Sequence, residues 1–348
     1  MVAGALAGVQ SAVADAPCLE DLDGNGEVGG DDISVMLLDF GLCPGCGSDL
    51  DGDGEVLVSD VSLLLLSFGP CAEPSWATVL EWSPDPAVIY DANLRTDIAA
   101  THRPWRVRDK GTGIEMVLIP PGSFLMGCSG SSASACAPDE SPVHQVTLTK
   151  AYYLGRYEVT QAQWAAKMRY NPSGFDYPSA EVPAEQVPQR PVNRLTLSAI
   201  DEFRRATGLR LPSEAEWEFA YRAGTATAFH GSPSNPGGTD SEADLTSIAW
   251  TYLNAQEQTR PVGLKSANGL GLHDMAGNVC EWVYDRYSLY AAEPQTDPVW
   301  TASYSGVVRG GGLGPNGFWT HAVYRASARM TASPDNNYFA GFRVARTP

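Results

Sequence analysis

Two apolar runs near the N-terminus share one shape. "DISVMLLDF" (residues 32–40) and "DVSLLLLSF" (60–68) each follow an acidic loop and each predict a single short helix. Further along the pattern changes. "IEMVLIPPGSFLMG" (Ile114–Gly127) predicts a strand, a Pro-Pro-Gly turn and a second strand. "HQVTLTKAYYLGRYEVT" (144–160) alternates apolar and polar positions, then enters a helix "QAQWAAKM" with Thr160 as its N-cap. "LSAIDEFRRATG" predicts a second helix, ended by Gly208. "LPSEAEWEFAYRAG" predicts a third, where Ser213 caps and Glu216 completes a capping box. Glu214, Glu216 and Glu218 read as acidic residues favouring a helix N-terminus rather than as acid–base machinery. Residues 73–104 mix prolines with short apolar runs and read as a linker holding a short helix near Ala92–Ala100.

Length and composition sharpen this outline. A chain of 348 residues predicts about two domains, and 35 Gly with 25 Pro predict short elements joined by long turns. The net charge of −18 is unevenly placed: residues 1–71 hold 13 Asp or Glu and no Lys or Arg, the first basic residue being Arg95. No basic stripe is available for phosphates, so a nucleic-acid partner is not expected. No apolar run reaches the roughly 18 residues needed for a membrane span. Residues 1–16, "MVAGALAGVQSAVADA", have a short apolar stretch and small residues at Ala12-Val13-Ala14 and Ala14-Asp15-Ala16. They fit a truncated signal peptide without its charged n-region, and with the cysteines they predict a secreted or cell-surface protein.

The first four of seven cysteines mark an internal repeat. Cys18 to Cys46 and Cys43 to Cys71 are each 28 residues apart, with the intervening sequence repeated in register. Each copy opens a calcium loop. Asp21, Asp23 and Asn25, and then Asp49, Asp51 and Asp53, fall at loop positions 1, 3 and 5. Gly26 and Gly54 stand at the sharp turn, Glu27 and Glu55 offer backbone carbonyls at position 7, and Asp32 and Asp60 stand at position 12. Calcium takes six to eight oxygens, and carboxylates this close are stable together with such an ion between them. With one helix after each loop, residues 17–72 resemble a dockerin type I module, which implies a cohesin-like partner; a calcium-stabilised spacer is the other reading. Disulfides suit so small a core. Cys18–Cys43 with Cys46–Cys71 is the expected pairing, one of three possible.

From Trp105 to Pro348 the motifs "MVLIPPGSFLMG", "YYLGRYEVTQAQW", "RLPSEAEWEFAYRAG", "NGLGLHDMAGNVCEW", "VVRGGG" and "AGFRVAR" follow in order. This part resembles the formylglycine-generating enzyme (sulfatase-modifying factor) family. The resemblance implies an α+β, C-type-lectin-like formylglycine-generating-enzyme fold with short elements and long loops, here preceded by the small α-helical calcium module. It also implies a further calcium site, carried onto the Asp274 side chain, the Gly277 and Val279 carbonyls and the Glu281 side chain. Active members hold copper(I) through two cysteines after a Gly-Gly-Ser turn, because the soft ion favours sulfur. Here that turn is Gly310-Gly311-Gly312, the cysteine positions fall near Pro315 and Thr320, and no cysteine follows Cys280. Copper is therefore not expected. Cys280 reads as a buried unpaired thiol, and Cys128 with Cys136 as a loop disulfide. The five histidines lack the His-x3-His-x-Glu spacing of the iron-using branch.

The resemblance places the loop Leu313–His321 where the family binds its peptide substrate. Asn316, Phe318, Trp319 and His321 are the candidate ligand contacts, with a peptide or glycan as ligand; aromatic residues packed inward are the alternative. The leading expectation is a secreted, calcium-stabilised, non-catalytic binding protein. An oxidoreductase with an unidentified metal site and a structural spacer stand beside it.

Overall fold

The computed structural model describes residues 18–43, 46–128, 136–313, 321–335 and 339–348. Residues 1–17, which include the signal-like stretch, lie outside the described residues.

In the N-terminal repeat pair, each acidic loop leads into one nine-residue helix, Gly30–Leu38 and Val58–Leu66. Gly26 and Gly54 adopt φ of +93° and +91°, the left-handed conformation that a side chain would strain. The two halves exchange short antiparallel strands: Glu27–Val28 pairs with Gly69–Pro70, and Gly41–Leu42 with Glu55–Val56. Val28, Met36, Val56, Leu64 and Cys71 form its small core. This exchange overturns the expected disulfides. It brings the first and last cysteines together, so the bridges are Cys18–Cys71 and Cys43–Cys46.

The segment expected to be a linker belongs instead to the larger domain. Ala77–Glu81 is the edge strand of a five-stranded sheet, followed in the sheet by Arg106–Asp109, Glu115–Ile119, Tyr152–Gly155 and Ala345–Arg346. The expected helix is present as Ala92–Ala99, capped by Asp91, and it buries Leu94 and Ile98. The strand–turn–strand at Ile114–Gly127 also forms, but not as a hairpin. Glu115–Ile119 stays in the five-stranded sheet, while Gly122–Met126 joins His144–Leu148 and Gln295–Thr296. A four-stranded sheet carries Arg329–Ala332, Gly306–Arg309, Cys280–Arg286 and Ala340–Gly341.

The helices begin and end where their caps predict. Gln161–Met168 starts at Thr160 and Glu214–Arg222 at Ser213, each with its capping box, and Leu197–Thr207 ends at Gly208 with φ +74°. Between helices and sheets lie Trp105, Trp164, Trp217 and Trp282, all fully buried.

Candidate metal centres and the glycine-rich strip

In the first acidic loop, Asp21 accepts the Asn25 and Gly26 N–H groups at 3.0 and 2.8 Å. Asp32 accepts Leu22, Asp23 and Gly29 N–H groups at 2.6, 3.1 and 2.7 Å, tying loop to helix. The second loop repeats this through Asp49 and Asp60. Oxygens of Asp21, Asp23 and Asp32 lie within 4.8 Å of one another, as do those of Asp49, Asp51 and Asp53. Burial, with Asp23 and Asp32 close by, pushes the Asp21 carboxyl up to about 6. Converging hard oxygens of this kind fit calcium. Asn25 turns its amide toward Asp23, 2.9 Å away, and Glu27 and Glu55 contribute main chain to the short strands.

A second acidic centre lies deep in the larger domain. Asp274, at φ +55°, accepts the Gly263 N–H at 2.6 Å through one oxygen, while the other is buried without a hydrogen-bond partner among the described residues. Such an orphaned oxygen fits a cation. Glu281 is differently placed: Arg343 grips both its oxygens at 2.6 and 2.7 Å, and the Trp217 indole donates to one at 2.8 Å. Only part of its acceptor capacity is left. Gly277 is packed so that a Cβ would meet the Trp250 carbonyl at 2.3 Å, and the Val279 N–H donates to Glu158 at 3.0 Å. Glu158 is the member that sequence reasoning missed. It is buried, also accepts the Asn278 amide at 2.7 Å, and is held well above the usual carboxylate range by burial and by Asp274 and Glu281. Its one signal was an acidic residue inside the apolar alternation of "YLGRYEVT".

The strip after Gly310 packs against the same segment. A Cβ on Gly312 would meet the Cys280 nitrogen at 2.6 Å, so this backbone leaves no room for the serine of the resembling family. Cys280 is unpaired and buried, and burial pushes its thiol up to about 12. The cysteine donors that copper(I) favours are missing from the sequence after it. Asn316, Phe318 and Trp319 lie outside the described residues. His321 opens the turn His321–Tyr324.

Beneath the strip runs a chain of buried ion pairs. Arg309 is paired to Glu214 and Glu218, Arg222 to Glu218, Arg329 to Glu214, and Arg325 to Glu140. Burial alone would raise the Glu218 carboxyl, but Arg222 and Arg309 hold it low. Glu214 and Glu218 are thus structural partners of arginines, of which Arg309 and Arg329 are far away in sequence. Glu216 closes its capping box and pairs with Arg210 at 2.6 Å. Cys128 bridges to Cys136 as expected. His273 is structural: its Nδ1 donates to the Lys265 carbonyl at 2.8 Å.

Residues 105–348 match the Sulfatase-modifying factor enzyme 1-like domain family. The chaperone protein LppX of Paenibacillus barcinonensis is 29% identical over 67% of this chain and 89% of its own length. The formylglycine-generating enzyme of Streptomyces coelicolor is also 29% identical, over 66% and 88%. Among solved structures, Treponema denticola variable protein 1 superposes with a TM-score of 0.56 at 26% identity, covering 68% of this chain and 95% of that one. PvdO from Pseudomonas aeruginosa superposes at 0.54 and 28%, covering 70% and 98%. With this match spanning most of its length and with the mixed helix–strand architecture described above, the chain belongs to the formylglycine-generating enzyme (sulfatase-modifying factor) family.

Proposed function

We propose that this chain is a secreted or cell-surface binding protein, stabilised by calcium, in which the family scaffold no longer performs copper chemistry. The observation that carries this reading is the strip after Gly310: it contains no cysteine, and Cys280 is buried without a disulfide partner. Removing the sulfur pair removes the ligands a copper(I) centre needs, while the glycine-rich backbone and its ion-pair support are kept. What remains is the family frame, and Asn316, Phe318, Trp319 and His321 are the residues assigned as contacts to a peptide or glycan. Family relatives that carry the names chaperone, variable protein and formylglycine-generating enzyme support a scaffold put to several uses.

Calcium would be held by Asp21, Asp23, Asn25, the Glu27 carbonyl and Asp32 in the first loop, and by Asp49, Asp51, Asp53, the Glu55 carbonyl and Asp60 in the second. In the larger domain Asp274, the Gly277 and Val279 carbonyls and Glu281 would hold a third ion. Its contribution is to neutralise carboxylates that otherwise repel one another. The N-terminal module supplies the anchor. Leu37, Leu38 and Phe40 on one repeat and Leu65, Leu66 and Phe68 on the other are exposed, an apolar surface larger than a small solvated module needs. This surface suits a cohesin-like partner, and the three disulfides suit an oxidising compartment.

Identity to formylglycine-generating enzymes favours one other reading, an oxidoreductase using a metal site not yet identified. Incubation with a Cys-x-Pro-x-Arg peptide, copper(I), calcium and oxygen separates the two. The expected result is no aldehyde while an active family member produces it; aldehyde formation overturns the binding-protein reading. Glycan and peptide arrays then test for the ligand, and an empty screen would leave a spacer.

A further inference from the structure

The two acidic loops are near-copies in sequence, yet the fold surrounds them differently. In the first, Gly26 lies against the indole of Trp82, and a Cβ there would meet the ring at 2.2 Å. The Ser83 hydroxyl donates to the Gly24 carbonyl. His102 reaches the same loop: its Nδ1 donates to the Asp21 carbonyl at 3.1 Å, and its own carbonyl accepts the Cys18 N–H at 2.9 Å. Holding both contacts, His102 adopts a left-handed φ of +50°, which a non-glycine residue seldom takes. The equivalent glycines of the second loop, Gly52 and Gly54, face open space: among the described residues nothing would come within 4 Å of a Cβ on either. Asp21 is 2% exposed, whereas Asp49 is half-buried.

We propose that the first loop is a composite calcium site, completed by Trp82, Ser83 and His102 from outside the repeat pair, while the second loop is an autonomous one. The inference rests on the calcium reading above. Three of the first loop's backbone positions, at Asp21, Gly24 and Gly26, are held by groups beyond the loop, so less conformational freedom is lost when an ion binds. The second loop orders itself without such help. Coupling of this kind is reciprocal: if the docked larger domain raises the calcium affinity of the first loop, calcium there tightens the docking by the same factor. The second loop and the exposed leucines then remain available to a partner.

Calcium calorimetry on the full, disulfide-intact chain tests this: Asp51→Ala leaves the first loop and Asp23→Ala the second as the module's reporting site, against a larger-domain site that is the same in both. In the Asp51→Ala background, Trp82→Ala should weaken the module's calcium site by about tenfold or more. In the Asp23→Ala background the same change should leave it within about twofold. Trp82→Phe, which keeps a ring against Gly26, should fall between wild type and Trp82→Ala and guards against a folding defect. Small-angle scattering gives the reciprocal readout: calcium should compact the Asp51→Ala protein and not the Asp23→Ala protein. Equal loss in both backgrounds, or no loss in either, overturns the composite site while leaving calcium binding intact. No calcium uptake by either loop of the wild-type chain overturns the calcium reading and this inference together.

Discussion

The N-terminal repeat pair is built around five buried residues, Val28, Met36, Val56, Leu64 and Cys71, whereas the larger domain buries four whole tryptophans and a long series of aliphatic side chains. Charge is handled in opposite ways in the two regions. In the repeats, like charges are crowded together with no cation side chain among them, since residues 1–71 contain no Lys or Arg. In the larger domain, three buried carboxylates meet arginines: Glu140, Glu214 and Glu218 against Arg222, Arg309, Arg325 and Arg329. In the repeats Asp21, Asp32 and Asp60 are buried as well, and the backbone N–H groups of their own loops satisfy them. A large core must neutralise its charges internally, because an unpaired buried charge is costly.

Breaking an internal pair should therefore have the largest effect. Glu218→Ala leaves Arg222 and Arg309 buried without their shared partner, and should lower stability of the larger domain by about 3–5 kcal/mol. Chemical denaturation followed by tryptophan fluorescence measures it; a change under about 1 kcal/mol would mean that water enters the network. The corresponding lesion in the repeats is covalent. Cys18–Cys71 spans 53 residues and Cys43–Cys46 only 3. Chain entropy makes the first worth about 4 kcal/mol and the second about 2. Paired Cys→Ser variants, with helix content followed during calcium-free denaturation, should show that ranking, and it should not alter the melting of the larger domain.

A smaller effect comes from acid. His230 is buried, with Nδ1 donating to the Gly231 carbonyl and Nε2 unpartnered among the described residues, and burial holds it down at about 4. The unfolded chain takes up a proton near pH 6.5 that the folded chain refuses until about 4. His230 thus stabilises the fold above pH 6.5, and that contribution is lost as pH falls toward 4, by about 3 kcal/mol. His230→Phe should flatten this limb of the stability profile. Asp285 works in the other direction. Burial and Glu214 push it up to about 7, so its contribution is complete at acid pH and lost as pH rises toward 7. An acid limb unchanged in His230→Phe would show that water reaches the ring.

What could be read along the chain was what neighbours in sequence decide. Thr160, Ser213 and Gly208 bound their helices because a cap needs only the next turn. The acidic loops were legible for the same reason, since Asp21 to Asp32 close on themselves. Distant partnerships were not. The strand Ala77–Glu81 exists because Arg106–Asp109 offers it an edge, and the prolines on either side of it made the segment read as linker. Glu158 acquires its meaning from Asn278 and Val279, more than a hundred residues away. The cysteine pairing followed from the strand exchange between repeats, which brings residue 18 to residue 71, and nothing in the spacing announces that exchange.

The smallest expected effect tests the same contrast from the outside. Leu38 and Leu66 close the two repeat helices and are 86% and 83% exposed, while Leu64, two residues before Leu66, is fully buried. If the repeats keep their core separate from a surface made for a partner, Leu38→Ser with Leu66→Ser should change stability by less than about 0.5 kcal/mol. Leu64→Ala should cost about 2–5 kcal/mol, a large loss for so small a core. Denaturation of the calcium-loaded protein reads both. A loss approaching that of Leu64→Ala in the serine pair would mean that the exposed leucines are already covered within the chain, and the surface for a partner would have to lie elsewhere on the module.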